Sequence, residues 1–166
     1  MYKNIVYHWT GGNYTPCSTD LAYYHYVISA QGIVHKGKYT PLDNLNCTDG
    51  KYAAHCGGGN TGRIGVAICC RKDINTPPTQ KQVEAMCKVG AELCYKHGLQ
   101  PKQCITHAEF GNTHPKTSSC GKQDINSLPY IGLRGVKEVG DYLRNKTQVY
   151  YDRIKRGEYN DRERLI

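Results

Sequence analysis

His8 and His107 each follow a short, apolar, β-prone run: Asn4 to Tyr7 and Gln103 to Thr106. Neighbouring strands could therefore carry both imidazoles to one sheet edge, although the two residues lie far apart in the chain. Pattern alone leaves the alternative open that both are ordinary surface or core histidines. The stretch after His107 adds Lys122 and Asp124, two residues apart, at the end of a loop that could fold back over a metal held by the histidines. Two neutral imidazoles and one carboxylate form a tetrahedral zinc donor set with the fourth position free for water. That is the arrangement of a hydrolytic centre rather than a structural one.

The elements around these residues have to position them. The first strand ends near His8, and Gly11-Gly12-Asn13 breaks it. Tyr24 to Ser29 and Ile33 to His35 flank Ala30-Gln31-Gly32 and read as a β-hairpin, with Tyr24, Tyr26 and Ile28 on one face and His25 and Val27 on the other. Pro41 to Gly50 is loop-like. The run Gly57-Gly58-Gly59-Asn60 opens a second loop before Ile64 to Cys70, an apolar strand suited to the middle of a sheet. Thr79 and Gln82 have capping-box spacing, and Val83, Met86, Cys87, Gly90 and Cys94 recur at helical intervals until Gly98. Ala108 to Gln123, rich in Gly, Thr, Ser, Pro and Lys, reads as one long loop. Leu133, Val136, Val139 and Leu143 support a closing helix. The pattern is α/β, a central mixed β-sheet flanked by helices. One domain is expected over residues 1–145, followed by a basic tail or helix extension over 146–166 that carries Lys146, Arg153, Lys155, Arg156, Arg162 and Arg164.

The 166 residues suffice for one core. Lys and Arg number 22 against 14 Asp and Glu, a net charge of +8 that favours an anionic partner. The nine cysteines are odd in number, include the adjacent pair Cys69 and Cys70, and show no Cys-x-x-Cys spacing. Reduced core thiols are therefore expected, rather than a disulfide framework or a Cys-rich zinc site. No stretch is apolar enough to span a bilayer or to serve as an export signal, so a soluble, monomeric protein made in the cytosol is expected. A nucleic-acid binder is disfavoured, because no motif interleaves aromatic and basic residues.

Four blocks in order carry a family resemblance: Ile5-Val6-Tyr7-His8-Trp9-Thr10; Tyr24-His25-Tyr26-Val27-Ile28 with Gly32; His55 with Asn60 and Ile64-Gly65-Val66; and His107 with Gly121-Lys122-Gln123-Asp124. Together, over roughly Tyr2 to Leu143, they resemble the zinc-dependent type 2 N-acetylmuramoyl-L-alanine amidases, a family related to peptidoglycan-recognition proteins and phage lysozyme-type amidases.

The resemblance implies that family's α/β fold and cleavage of the amide bond between N-acetylmuramic acid and L-alanine in peptidoglycan. It implies Zn2+ on His8, His107 and Asp124, Tyr24 as the active-site tyrosine and Lys122 as the catalytic lysine. It also implies substrate contacts from His55 and Asn60, with a structural hydrogen bond as the alternative for His55. The loop between His107 and Asp124 is longer than in compact relatives, and it holds His114 and Cys120 as rival third ligands. Asp124 is preferred because Lys122 then stands two residues before the ligand. Glu109 could orient His107, His25 is read as structural, and His35 and His97 as solvent-facing. Expected partners are the muramyl peptide and, through the basic surface and tail, anionic envelope polymers. A phage or prophage endolysin is the expected setting, held in the host cytoplasm until lysis and then acting on the wall. A muropeptide-recycling amidase and a non-catalytic wall-binding module are the alternatives.

Overall fold

Two apolar runs make the centre of the fold. Asn4–Trp9 forms β1 and Arg63–Ile68 forms β4, and the two pair in parallel with His8 opposite Ala67. The structure, a computed structural model, describes residues 1–72, 75–160 and 164–166. Arg162, counted above among the basic C-terminal residues, lies outside the described residues.

Tyr26–Ile28 is β2, Val34–Lys36 is β3 and Cys104–Thr106 is β5. The five-stranded sheet has the order β3-β2-β4-β1-β5, with only β2 and β3 antiparallel. It is a mixed sheet with β4 in the middle, where near-continuous apolarity belongs.

Strand alternation divides the sheet into two chemically different faces. Ile5, Tyr7, Tyr26, Ile28, Ile64, Val66 and Ile68 join the apolar core under two long helices, α2 (Gln80–His97) and α4 (Val136–Lys155). Val6, His8, Val27, Gly65 and Ala67 alternate with them and so face the opposite way. That second face carries the polar site.

The Thr79 side chain accepts from the Gln82 backbone N–H, and Gln82 answers to the Thr79 N–H, so α2 begins with a complete capping box. It ends at Gly98, whose φ of 67° is left-handed. Gly90 lets α2 approach the sheet closely: a Cβ there would lie 1.9 Å from the Tyr7 hydroxyl.

Three features depart from the sequence reading. Ser18–Tyr23 forms a short helix, α1, so Tyr24 ends that helix instead of extending the hairpin strand. His107–Thr113 forms α3, and the first part of the supposed long loop is therefore helical, started by a Thr106–Glu109 capping box. The Gly, Asn and Thr content of that stretch hid it, because those residues are poor helix formers outside a tertiary context. Leu133 belongs to a two-stranded ribbon of Ser127–Leu128 (β6) and Leu133–Arg134 (β7) ahead of α4. α4 itself runs on to Lys155, with Thr147 and Tyr151 buried in its later turns.

All nine cysteines are free thiols. Among the described residues no helix is long and apolar enough to cross a membrane. Thr79→Ala removes a cap worth about 1 kcal/mol. It is expected to lower the melting temperature by roughly 2 to 4 °C in thermal unfolding followed by circular dichroism.

Candidate functional site

β1 and β5 run parallel with Tyr7 opposite Thr106, so the residues that follow, His8 and His107, emerge side by side. Their ring centroids lie 4.6 Å apart. Asp124 returns from far along the chain and is fastened to the first turn of α3, where the Ala108 N–H donates to its carbonyl oxygen at 2.6 Å. Its Oδ2 then lies 2.9 Å from His8 Nδ1 and 3.1 Å from His107 Nδ1. One donor atom from each of the three residues falls within 4.8 Å of the others, and all three residues are buried.

His107 and Asp124 form part of the wall of a cleft of about 750 Å³ whose lining also includes Trp9, Tyr23, Tyr24 and Lys122, while His8 is fully buried. Tyr24 stands beside His8, with ring centroids 5.1 Å apart. Burial, reinforced by the negative charge of Asp124, raises the Tyr24 phenol well above its ordinary value, so at neutral pH it keeps its proton as a hydrogen-bond donor. Lys122 is exposed at the cleft.

Each histidine is also held at its far nitrogen. His107 Nε2 lies 2.9 Å from Ser119 Oγ, and the Ser119 hydroxyl donates to the Gly57 carbonyl at 2.8 Å. His8 Nε2 lies 3.0 Å from His55 Nδ1, and His55 Nε2 lies 3.3 Å from the Arg63 carbonyl. Burial pushes His8 down to about 4 against the upward pull of Asp124, and it lowers His55 well below the ordinary imidazole value. Burial alone would raise the Asp124 carboxyl, but its contacts with His107 and His8 outweigh this and hold it below the usual carboxylate range.

At neutral pH an ionised carboxylate thus meets uncharged His8, with two ring nitrogens converging on one oxygen. The donor set fits a divalent zinc ion: nitrogen and oxygen ligands, three in number, beside a cleft that leaves a further position accessible.

A family model described as N-acetylmuramoyl-L-alanine amidase matches residues 2–124. The chain belongs to this amidase family. The matched segment contains every residue of the cluster and both cleft residues Tyr24 and Lys122. No curated protein sequence matches the chain.

Among solved structures, the amidase-family chain is similar to the N-acetylmuramoyl-L-alanine amidase LysC from Clostridium intestinale, at 17% identity and a TM-score of 0.48, over 65% of this chain and 71% of that one. It is also similar to Drosophila peptidoglycan recognition protein SD, at 17% identity and a TM-score of 0.49, over 70% of this chain and 74% of that one. A third is the N-acetylmuramyl-L-alanine amidase AmiD from E. coli, at 18% identity and a TM-score of 0.45, over 64% of this chain and 48% of that one.

Asn60 departs from its expected place in this amidase fold, and the other candidates take definite positions of their own. Asn60 is not in the cleft: its Oδ1 accepts from the Cys56 N–H at 2.8 Å, and the residue lines a different hollow with Lys3 and Tyr52. His55 reaches the cleft wall, but both its ring nitrogens are engaged inside the protein, which leaves neither for substrate. Glu109 caps α3 and pairs with Arg144 of α4 at 2.8 Å, and no hydrogen bond joins it to His107. His114 stacks on Phe110, with centroids 3.9 Å apart, and Cys120 is exposed; neither joins the cluster. His97 packs against Tyr2 at 4.4 Å instead of standing free in solvent.

Three supporting residues escaped the sequence reading. Ser119 holds His107, and Gly65 admits His55: a Cβ on Gly65 would lie 2.5 Å from the His55 ring. Asn44, fully buried, binds the segment that carries His55. Its amide donates to the Ala53 carbonyl at 2.9 Å, and its Oδ1 accepts from the Ala53 N–H at 2.9 Å and from His25 Nε2 at 2.9 Å. His25 completes the brace by accepting the Gly65 N–H at 2.9 Å, the structural role expected of it. The glycine run is a packing device, because a Cβ on Gly57 would meet the Ser118 hydroxyl at 1.9 Å and one on Gly58 the Thr117 side chain at 2.6 Å. Only Ser119's place in a polar Ser-rich stretch and Asn44's in a loop were visible in the sequence, and neither signal is distinctive.

Asn44→Ala leaves buried donors and acceptors on His25 and Ala53 without partners, each a penalty of about 1 to 3 kcal/mol. Urea unfolding should show a loss of roughly 3 kcal/mol or more.

Proposed function

We propose that the chain is a zinc-dependent hydrolase of the amide bond between N-acetylmuramic acid and L-alanine in bacterial peptidoglycan, working as a phage or prophage endolysin. The observation that carries this reading is the convergence of His8 Nδ1, His107 Nδ1 and the Asp124 carboxylate on one point beside an open cleft, in a chain of the amidase family. Family membership and the cleft support the amide substrate. The resemblance to phage amidases and the net charge of +8, suited to an anionic wall, support the lytic setting.

His8, His107 and Asp124 would hold the metal. When bound, it would polarise the scissile carbonyl and bring a water to hydrolytic strength near neutral pH. The chain's own residues supply the rest. Trp9 and Tyr23 offer aromatic walls against which a muramyl peptide can lie. The protonated Tyr24 phenol donates a hydrogen bond to the carbonyl oxygen as negative charge develops there. The Lys122 ammonium stabilises the same oxyanion, a contribution of about 3 to 4 kcal/mol per well-placed donor. Departure of the L-alanine amine requires a proton at its nitrogen, and the solvent-open cleft can supply it.

His107→Ala and Asp124→Ala are expected to lose zinc and wall hydrolysis together, by metal analysis and turbidity loss of purified sacculi. Stoichiometric zinc in both variants would remove those residues from the ligand set. Lys122→Ala should keep its zinc while kcat falls roughly 10²- to 10³-fold. Mass analysis of the digest should show stem peptides with a free L-alanine amino terminus; new reducing sugar ends would instead identify a glycosidase. Expression with a membrane-permeabilising protein should lyse the bacterial host, whereas activity confined to soluble muropeptides would reject the lytic setting.

A further inference from the structure

The proton positions in the hydrogen-bond chain behind His8 follow from the chemistry of its far end. A backbone carbonyl can only accept, so the 3.3 Å contact between His55 Nε2 and the Arg63 oxygen places a proton on His55 Nε2. A neutral imidazole carries one ring proton, and His55 Nδ1 is then an acceptor. The 3.0 Å contact to His8 Nε2 consequently requires a proton on His8 Nε2. His8 Nδ1 is then the ring atom without a proton, and it lies 2.9 Å from Asp124 Oδ2. A ring lone pair and a carboxylate oxygen turned to one point are two donors a divalent cation can take.

We infer that His55 is a positioning residue for His8 and not a substrate contact: the order Arg63 carbonyl, His55, His8 keeps the His8 proton on Nε2 and presents the Nδ1 lone pair to the metal. The inference rests on the zinc reading given above and concerns how this chain prepares its ligand.

The surrounding structure is built to hold that ring in place. His55 is 5% exposed and lies flat against the glycine surface of β4 at Gly65, where any side chain would displace it. The segment from Ala53 to Asn60 that carries it is fastened at both ends by the Asn44 amide, at 2.9 Å and 3.3 Å. Nothing comparable is needed for a residue whose task is to touch a passing substrate. Ser119 gives His107 the matching treatment by another route. Its single proton goes to the Gly57 carbonyl, so its oxygen accepts from His107 Nε2, and Nδ1 is the ring atom turned toward Asp124. Groups that fix a ligand histidine from its far nitrogen typically change metal affinity by about 10- to 100-fold when removed.

The test uses the full chain and zinc alone, with two variants that branch at the same carbon. His55→Leu fills the space and offers no acceptor. His55→Asn places its Oδ1 where Nδ1 stood and can still accept from His8. Competition with a chromophoric chelator should show zinc affinity falling about 10-fold or more in His55→Leu and returning to within about threefold of the parent in His55→Asn. Matching melting curves of the zinc-free variants separate this from a general loss of structure.

The parent protein supplies a measurement that needs no variant. With ¹⁵N-labelled histidine and zinc bound, His55 should be protonated at Nε2, and a scalar coupling should cross the hydrogen bond between His8 Nε2 and His55 Nδ1. A proton on His55 Nδ1, or equal zinc affinity in the leucine and asparagine variants, overturns the inference while the zinc reading stands. A parent protein that takes up no zinc overturns both.

Discussion

One carboxylate oxygen and two imidazole nitrogens, crowded within 4.8 Å of one another and largely cut off from water, are a costly arrangement for a protein to fold around. The zinc proposed for this site would offset it. Much of the polar architecture described above makes sense as what holds that crowding in place. The Ala108 N–H fastens the Asp124 backbone, Ser119 and His55 occupy the outer nitrogens of the two rings, and the Asn44 amide braces the segment behind His55. Remove any of these and the three groups have room to move apart.

The sheet makes this possible by keeping two kinds of chemistry on opposite faces. Tyr7 and His8 are neighbours in sequence, yet Tyr7 is buried under α2 and α4 while His8 belongs to the polar network. The apolar face supplies the burial that stabilises the fold, and so the other face can carry buried imidazoles and amides whose net contribution is small. Glycines decide how closely the layers meet. Gly90 lets α2 settle on Tyr7, Gly65 lets His55 lie on β4, and Gly57 and Gly58 bring Ser119 within reach of His107.

How much of this could be read from the chain varies with the range of the interaction that fixes each part. α2 was legible from end to end, since its cap at Thr79 and Gln82, its apolar period and its stop at Gly98 are all local. The apolarity of Ile64 to Cys70 sufficed to put β4 in the centre. α1 and α3 were not legible, because each is short and weak in helix propensity; α1 lies against β2, and α3 against β1, β5 and α4. Between substrate contact and structural hydrogen bond no local pattern could decide for His55, because its partners, His8 and the Arg63 carbonyl, are brought to it by a loop path. Asn60 was misplaced because its amide closes its own loop onto Cys56.

By itself, the sequence determined the class of fold, the order of the four motif blocks and the inventory of groups able to bind a metal, because these depend on residue type and short-range periodicity. Only the tertiary structure decided that Asp124, and neither Cys120 nor His114, stands with His8 and His107, and which nitrogen of each ring turns inward. Those outcomes depend on strand register, on a chain reversal after α3 and on hydrogen bonds between residues far apart in the chain. Such geometry comes into being only when the layers pack.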